Sequence, residues 1–477
     1  MSDAQLKKRY EIGMVGLGVM GRNLVLNMAD HEFSVAGYDK DLTKVEALRK
    51  ESAQRNIRGA AGMPEFIALL RQPRAVMMLV PAGAPVDLVI KDLLPHLDKG
   101  DLVIDAGNSY FKDTDVRGRS LAAKGIQFLG VGVSGGEEGA RHGLSMMPGG
   151  PKEVYERVRL MFEAIAAKVN DDSCVAWLGP GSTGHFVKMV HNGVEYGVMQ
   201  LIAETYDLMK CALGLNDDEL HGVFSAWNKG ELNGYLVEIT SQIFSKQDEK
   251  TGKRMIDEIL DVAKQKGTGM WTSQSAMELQ VPIPTIDLAV GMRDLSVFAN
   301  EREQASAIYQ RPQRRFNGER DAFLVQLGHA LFAGMIIIYA QGMALLAVAS
   351  DKYGYHLNLE TVARIWRGGC IIRAGLLEDI CAAFHVRSDL PNLLLAPKLS
   401  RKIMEHQESL RQVVCQAAEL GIPAPGLMVS LGYLDAYRSA WLPASLIQAQ
   451  RDYFGAHTYE RNDAKGMFHT EWGRQLA

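Results

Sequence analysis

The apolar positions of this chain follow two different periods. From residue 11 to about residue 178, short runs dense in Val, Ile, Leu and Met alternate with stretches whose apolar residues recur every three or four positions. The short runs cover 12–15, 34–38, 75–80, 102–105, 127–131 and 174–178. A typical intervening stretch places Val154, Val158, Met161, Phe162, Ile165 and Val169 on one helical face. Strands buried on both faces of a parallel sheet read as unbroken apolar runs, and the helices covering them show a 3.6-residue period. The alternation predicts a Rossmann-type α/β domain over 1–181, doubly wound around a mostly parallel sheet.

After Gly179-Pro180-Gly181-Ser182-Thr183-Gly184 the strand signals become scarce, and apolar-periodic stretches rich in Leu, Met, Ala and Glu take over. This predicts a large all-α domain over 182–439, entered through a Gly/Pro hinge. Within it, 331–349 carries no Asp, Glu, Lys or Arg and is long enough to span a bilayer. It contains Gln341, is rich in Ala and Gly, and is bounded by Asp321 and Asp351 instead of a basic flank. A buried central helix is the expectation. Residues 440–477 form a polar, aromatic tail of the kind that orders against another surface, a second subunit included.

The composition narrows the partners. With 477 residues, 47% hydrophobic and 23% charged, the chain has room for two or three ordinary globular domains. A net charge of −4 argues against nucleic acid or an anionic membrane surface. Arg311, Arg314, Arg315 and Arg320 are interrupted by Pro312, Gly318 and Glu319 and are read as a solvated loop. The five cysteines are widely spaced without a C-x-x-C, which suits reduced thiols in the cytoplasm and neither a disulfide frame nor a zinc site. The leading segment runs from polar residues directly into a strand and is not read as a signal peptide. No metal-ligand spacing appears.

Chemistry enters with Gly16-Leu17-Gly18-Val19-Met20-Gly21, a G-x-G-x-x-G placed directly between a predicted strand and a predicted helix. In that context the glycines allow a tight turn, a close approach to a pyrophosphate and close helix–strand packing. Asp39 closes the next strand, where a carboxylate accepts hydrogen bonds from the adenosine ribose hydroxyls. A 2′-phosphate would face Asp39 at a cost of up to about 4 kcal/mol at an effective dielectric near 20. Lys40 offsets part of this. The residues therefore favour NAD, with NADP as a second, poorer cofactor.

The stretch Gly184 to Gly197 is the most informative. His191, Asn192, Glu195 and Tyr196 follow Lys188 at +3, +4, +7 and +8 and share one helical face with it. An ammonium, an imidazole, an amide, a carboxylate and a phenol on one stripe form a candidate site. The alternative is a solvated face with an ion pair. Two further polar groups sit at the carboxyl ends of predicted strands: Gly107-Asn108-Ser109, and Ser134 with Gly135 and Gly136, whose backbone N–H groups suit a carboxylate. Gly132-Val133-Ser134-Gly135-Gly136 also fits the G-x-S-x-G elbow of hydrolases. The sequence after it, Glu137 to Gly143, reads as a poor helix start, which counts against that reading.

The runs GVSGGEEGAR (132–141), GHFVKMVHNGVEYG (184–197), KGTGMWT (266–272), WRGGCIIR (366–373) and PASLIQAQRDYFGAHTYE (443–460) resemble the decarboxylating 6-phosphogluconate dehydrogenase family along nearly the whole chain. The β-hydroxyacid dehydrogenases share the Rossmann half and a Lys-x-x-x-Asn core, here Lys188 and Asn192, but are much shorter. The resemblance implies Lys188 as general base and Glu195 as the acid that protonates C1. It implies Asn108, Ser134, Gly135, Gly136, His191 and Asn192 around the substrate carboxylate and hydroxyls. Tyr196, Lys266, Thr268, Arg293 and Arg451 match the phosphate pocket, and His457 matches a further tail contact. It also implies a homodimer whose tail threads into the partner's site. Members using NADP usually carry Asn-Arg-Thr where Asp39-Lys40-Asp41 stands. The family's Leu-Val-Lys-Ala-Gly is here Leu79-Val80-Pro81-Ala82-Gly83, with Val80, Ala82 and Asn108 beside the cofactor. Both departures remove positive charge and again favour NAD.

Overall fold

Seven strands build one sheet in the order β3-β2-β1-β4-β5-β6-β7: β1 Ile12–Val15, β2 Val35–Tyr38, β3 Ile57–Gly59, β4 Ala75–Met78, β5 Leu102–Asp105, β6 Gln127–Ser134 and β7 Ser145–Gly149. β1 to β6 pair in parallel, and β7 runs antiparallel to β6 with Ser134 opposite Ser145. The computed structural model describes residues 9–52, 55–310, 312 and 314–473. These fall into two compact units, Met1–Ser430 and Leu431–Ala477. Residues 1–8, which carry most of the leading segment, and Arg311 lie outside the described residues.

The alternation of side chains explains why the sheet is covered on both faces. Ile12, Met14, Met77, Leu102, Ile104, Leu129 and Val131 pack into one apolar cluster, and Val15, Val76, Met78, Val103 and Phe128 into another. Order reverses between β1 and β4, and the crevice beyond their carboxyl ends is where such sheets bind ligands.

Several readings of the sequence need correction or completion. Residues 174–178 form no strand; the segment lies beside β7 through isolated bridges at Val175 and Gly179. β3 and β7 gave no usable signal, the first because three residues carry no period, the second because Pro148 and Gly149 interrupt the run. Gly136–His142 is helical, with Glu137 and Glu138 in its first turn and Arg141 and His142 in its last. Those charges complement the helix dipole and stabilise a segment whose glycines disguised it.

The helix Thr183–Leu213 follows the hinge and ends at Gly214, which adopts the left-handed conformation (φ 65°). The helix Arg320–Tyr353 is long and apolar enough to cross a membrane, yet most of its central residues are buried inside the protein. It packs against Thr183–Leu213 and Pro397–Leu420 as a core helix. Arg320 opens this helix and so does not belong to the predicted solvated loop. The second unit contains the helix Ala444–Gly455 and a hairpin pairing Tyr459–Glu460 with Met467–Phe468.

Candidate active site

The glycine loop joins β1 to the helix Val19–Asp30, and at Gly16 and Gly21 its geometry leaves no room for a side chain. A Cβ on Gly21 would sit 1.9 Å from the Gly16 carbonyl oxygen, and one on Gly16 would sit 2.5 Å from that of Leu79. Gly18 occupies the N-cap without a side-chain cap, so the orphan N–H groups of the first turn stay available to an anion. Leu17 is buried, while Val19 and Met20 begin the helix. A cavity of ≈ 500 Å³ opens at the switch point and is lined by Gly16, Gly18, Asp39, Lys40, Lys44 and Val80, among others. Asp39 accepts hydrogen bonds from the backbone N–H of Leu17 (2.8 Å) and Asp41 (2.9 Å), which locks its carboxylate against the glycine loop. Lys40 pairs with Asp92 at 3.0 Å, and Lys44 lies 3.6 Å from Asp39 and 4.0 Å from Asp41. The residues fit a nicotinamide dinucleotide: a tight turn, a free helix N-terminus and a carboxylate at the ribose position.

The loops after β4 and β5 border the same crevice and are fixed by one ion cluster around the buried Arg117 and Asp105. Arg117 donates to Asp87 (2.7 and 3.1 Å) and to the Gly83 carbonyl (3.2 Å), and lies 3.8 Å from Asp105. Asp105 in turn accepts from Gly107 N–H (3.0 Å) and the Ser109 hydroxyl (2.6 Å). The loop bearing Val80 and Ala82 is thereby tied to the loop that presents Asn108 to solvent.

The helix Thr183–Leu213 carries the polar stripe because its first turn lies directly on β6 and β7. A Cβ on Gly184 would meet the Met147 carbonyl oxygen at 2.1 Å and that of Gly130 at 2.5 Å. Gly132 stands against Lys188 in the same way. The stripe is not a solvated face. Lys188 is 5% exposed and the whole of His191 is buried.

A continuous polar chain runs through it. The Ser134 hydroxyl is 3.3 Å from His191 Nε2, His191 Nδ1 is 3.1 Å from Asn192 Oδ1, and Asn192 Nδ2 donates to Thr268 Oγ1 at 3.1 Å. With Asn192 Oδ1 as acceptor, Nδ1 carries the imidazole proton and Nε2 accepts from Ser134. Lys188 Nζ lies 3.4 Å from Nδ1, and Glu195 Oε2 lies 3.8 Å from it, beyond hydrogen-bonding range. Gly135 and Gly136 follow Ser134 and open the short helix, both with positive φ.

Burial tunes the charges in opposite directions. It lowers the Lys188 ammonium pKa, with Glu195 acting against it, and lowers that of His191 well below the ordinary imidazole value, with Lys188 assisting. Burial raises the Glu195 carboxyl, opposed by Lys188 and Arg293. An amine whose burial favours its neutral form and a carboxyl whose burial favours its protonated form stand two helical turns apart, the arrangement that general base and general acid chemistry requires.

On the outer side, the Arg293 guanidinium lies 3.4 Å from the centre of the Tyr196 ring and donates to the Lys264 carbonyl. Thr268 opens the helix Thr268–Glu278 and is buried, whereas Lys266 is exposed on the preceding loop. Arg451 and His457 belong to the second unit. There, Arg451 donates to Gln448 at 3.0 Å, and His457 meets Phe454 edge-on.

Sequence reasoning missed several residues. Trp366 packs edge-on to His191 at 5.5 Å, and Cys370, wholly buried, has its thiol pushed up to about 12 by burial. Both lie in a run used for the resemblance without a role. Asp105 was legible only as the end of β5, and Arg117 carried no sequence signal. A helix does follow Ser134, as a hydrolase elbow requires, but among the described residues no carboxylate hydrogen-bonds to the far nitrogen of His191, which faces Asn192.

Two family models cover almost the whole chain: the NAD binding domain of 6-phosphogluconate dehydrogenase over residues 11–179, and the C-terminal domain of 6-phosphogluconate dehydrogenase over residues 184–472. The chain is 52% identical over 466 residues to the decarboxylating 6-phosphogluconate dehydrogenase of Synechococcus elongatus, covering 97% of this chain and 99% of that one. It is 50% identical to the NADP(+)-dependent, decarboxylating 6-phosphogluconate dehydrogenase of Bacillus subtilis, with 97% and 99% covered. A solved structure of Plasmodium falciparum 6-phosphogluconate dehydrogenase superposes with a TM-score of 0.93 at 42% identity, over 97% of this chain and all of that one. The chain belongs to the 6-phosphogluconate dehydrogenase family.

Proposed function

We propose that this chain oxidises 6-phosphogluconate at C3 and decarboxylates the product to ribulose 5-phosphate, with Lys188 as base and Glu195 as acid. The observation that carries this reading is the opposed tuning of Lys188 and Glu195 on one buried helical stripe. Neutral Lys188 takes the C3 hydroxyl proton as hydride leaves for the nicotinamide, which supplies the electron sink when bound. The resulting ammonium donates to the new C3 keto oxygen and stabilises the charge that develops there as CO2 departs. No metal is needed for that step, because a β-keto acid loses CO2 once its carbonyl is polarised. Protonated Glu195 then delivers its proton to C1 of the enediol while Lys188 recovers the enol proton. Ser134, Asn192 and His191 orient the carboxylate and hydroxyls, with Asn108, Gly135 and Gly136 completing that side. Tyr196, Lys266, Thr268 and Arg293 hold the phosphate, together with Arg451 from the tail.

NAD is the better cofactor in this reading and NADP the poorer one. The cavity rim sets Asp39, Asp41 and Asp92 against Lys40 and Lys44, so each lysine already faces a carboxylate. The Bacillus subtilis relative is named NADP(+)-dependent, and NADP+ is the cofactor named for the Plasmodium falciparum enzyme, so the reading of NAD preference rests on the residues at 39–41 and 81 of this chain alone. The active form is a homodimer in which the tail, with Arg451 and His457, enters the partner's site. Trp441, Leu446, Ile447, Tyr453 and Phe454 are exposed on that tail, an apolar density that suits burial against a second chain.

The test is the absorbance of reduced nicotinamide with 6-phosphogluconate, comparing kcat/KM for the two cofactors. Turnover favouring NAD supports the reading. Turnover favouring NADP keeps the reaction and overturns the role of Asp39, and no turnover from folded protein overturns the substrate.

A further inference from the structure

We infer that Asp452 is a positioning residue that pre-organises Arg451 for the substrate phosphate and holds His457 beside it. The inference rests on the reading above that Arg451 belongs to the phosphate pocket and that His457 is a further tail contact. Asp452 is 0% exposed, although most of the surrounding tail is exposed. Its two oxygens collect four donors: Thr458 N–H (3.0 Å) and His469 Nδ1 (2.9 Å) on Oδ1, Thr470 N–H (2.9 Å) and Trp472 Nε1 (2.8 Å) on Oδ2. A carboxylate saturated in this way fastens both ends of the hairpin to the helix Ala444–Gly455. The fastening is needed because the unit has little apolar core of its own.

The connection to the phosphate contacts is direct. Thr458, held by Asp452, accepts a hydrogen bond from Gln448 Nε2 at 2.6 Å through its carbonyl, and Gln448 Oε1 accepts from Arg451 at 3.0 Å. The guanidinium is thus oriented through two intermediates. On the other side, Ala456 and Thr458 both adopt left-handed backbone conformations (φ 51° and 60°), and His457 lies between them. Non-glycine residues hold that conformation only where the surroundings over-determine it, and such positions cluster at ligand clamps. The Asp452–Thr458 hydrogen bond is one of the restraints. His457 also folds back over Gly455, where a Cβ would lie 2.6 Å from Nε2.

Asp452→Asn keeps the size of the side chain but turns an NH2 towards one or more of the four donors. In the full-length enzyme, the KM for 6-phosphogluconate is expected to rise about ten-fold, as for a ligand group displaced by a fraction of an ångström. The Ki of unphosphorylated gluconate as competitive inhibitor, the KM for the dinucleotide and kcat should stay within about two-fold, since none of them depends on the contact to the phosphate. A ten-fold loss shared equally by gluconate and 6-phosphogluconate, or no change in either, overturns the proposal. Arg451→Ala separates the two claims. If it leaves the KM for 6-phosphogluconate unchanged, the reading of the tail fails; if it raises that KM while Asp452→Asn does not, only the positioning role fails. Trp472→Phe removes a single donor and serves if Asp452→Asn does not fold, with a smaller rise in the same KM expected and an unchanged KM counting against the role.

Discussion

Lys188 Nζ lies 3.4 Å from His191 Nδ1 inside a fully buried stretch of helix. The pairing places an amine next to an imidazole that burial keeps neutral, so His191 adds no positive charge to Lys188 and none to the Glu195 side. Lys188 and Glu195, the proposed base and acid, then titrate under the influence of burial and of each other, with Arg293 also acting on Glu195.

That arrangement fixes the sign of the pH dependence. The base works when Lys188 is unprotonated, so kcat/KM for 6-phosphogluconate rises as pH climbs through its lowered pKa. The acid works when Glu195 is protonated, so the rate falls as pH passes through its raised pKa. A steady-state profile of the wild type should be bell-shaped, and Lys188→Ala should lower kcat by about 10²- to 10⁴-fold.

Lys188 also costs stability. Its pKa is lower in the folded protein than in the unfolded chain, so the unfolded chain binds the proton more readily. Below the folded pKa the penalty is fully present, and stability recovers as pH rises from there towards the ordinary lysine value of 10.5. Lys188→Met should therefore raise the melting temperature near neutral pH while abolishing turnover. The advantage should shrink as the pH is raised, as a thermal melt series will show.

Gly184 carries the contact that seats the site helix on the sheet. Gly184→Ala puts a methyl carbon 2.1 Å from the Met147 carbonyl oxygen and must shift the helix. A loss of about 1–3 kcal/mol in denaturant unfolding is expected, typical of overpacking. Turnover should fall along with it, because Lys188 moves with the helix.

Arg117 bridges the loops after β4 and β5 with a planar fork that lysine does not reproduce. Arg117→Lys should raise the KM for the dinucleotide several-fold and leave substrate affinity nearly unchanged. Steady-state kinetics with the dinucleotide and 6-phosphogluconate varied in turn will check this.

Asp39 should govern cofactor choice. Asp39→Asn removes a charge from the rim shared with Lys40 and Lys44. The ratio of kcat/KM for NADP to that for NAD should rise by about ten-fold or more, given a like-charge cost of up to about 4 kcal/mol.

Much of this was legible in the sequence. β1 and β5 end at the expected residues because unbroken apolar runs bounded by Gly, Asp or Asn leave little freedom, and the stripe from Lys188 to Tyr196 follows from helical spacing alone. The illegible parts depend on tertiary contacts. β7 is recruited by antiparallel pairing to β6 and not by its own pattern. The helix after Ser134 is made by charges that suit its dipole, not by propensity. Arg117 and Trp366 reach their partners across long gaps in the chain that no local period records.

The division of labour between Lys188 and Glu195 is tested most directly by stopped-flow absorbance of reduced nicotinamide with Glu195→Gln. Hydride transfer precedes the step assigned to Glu195. The variant should therefore show a first-turnover burst close to the wild-type rate, followed by a steady state at least about 10²-fold slower. A burst slowed in parallel with the steady state would contradict the assignment, and would place Glu195 in the oxidation step alongside Lys188.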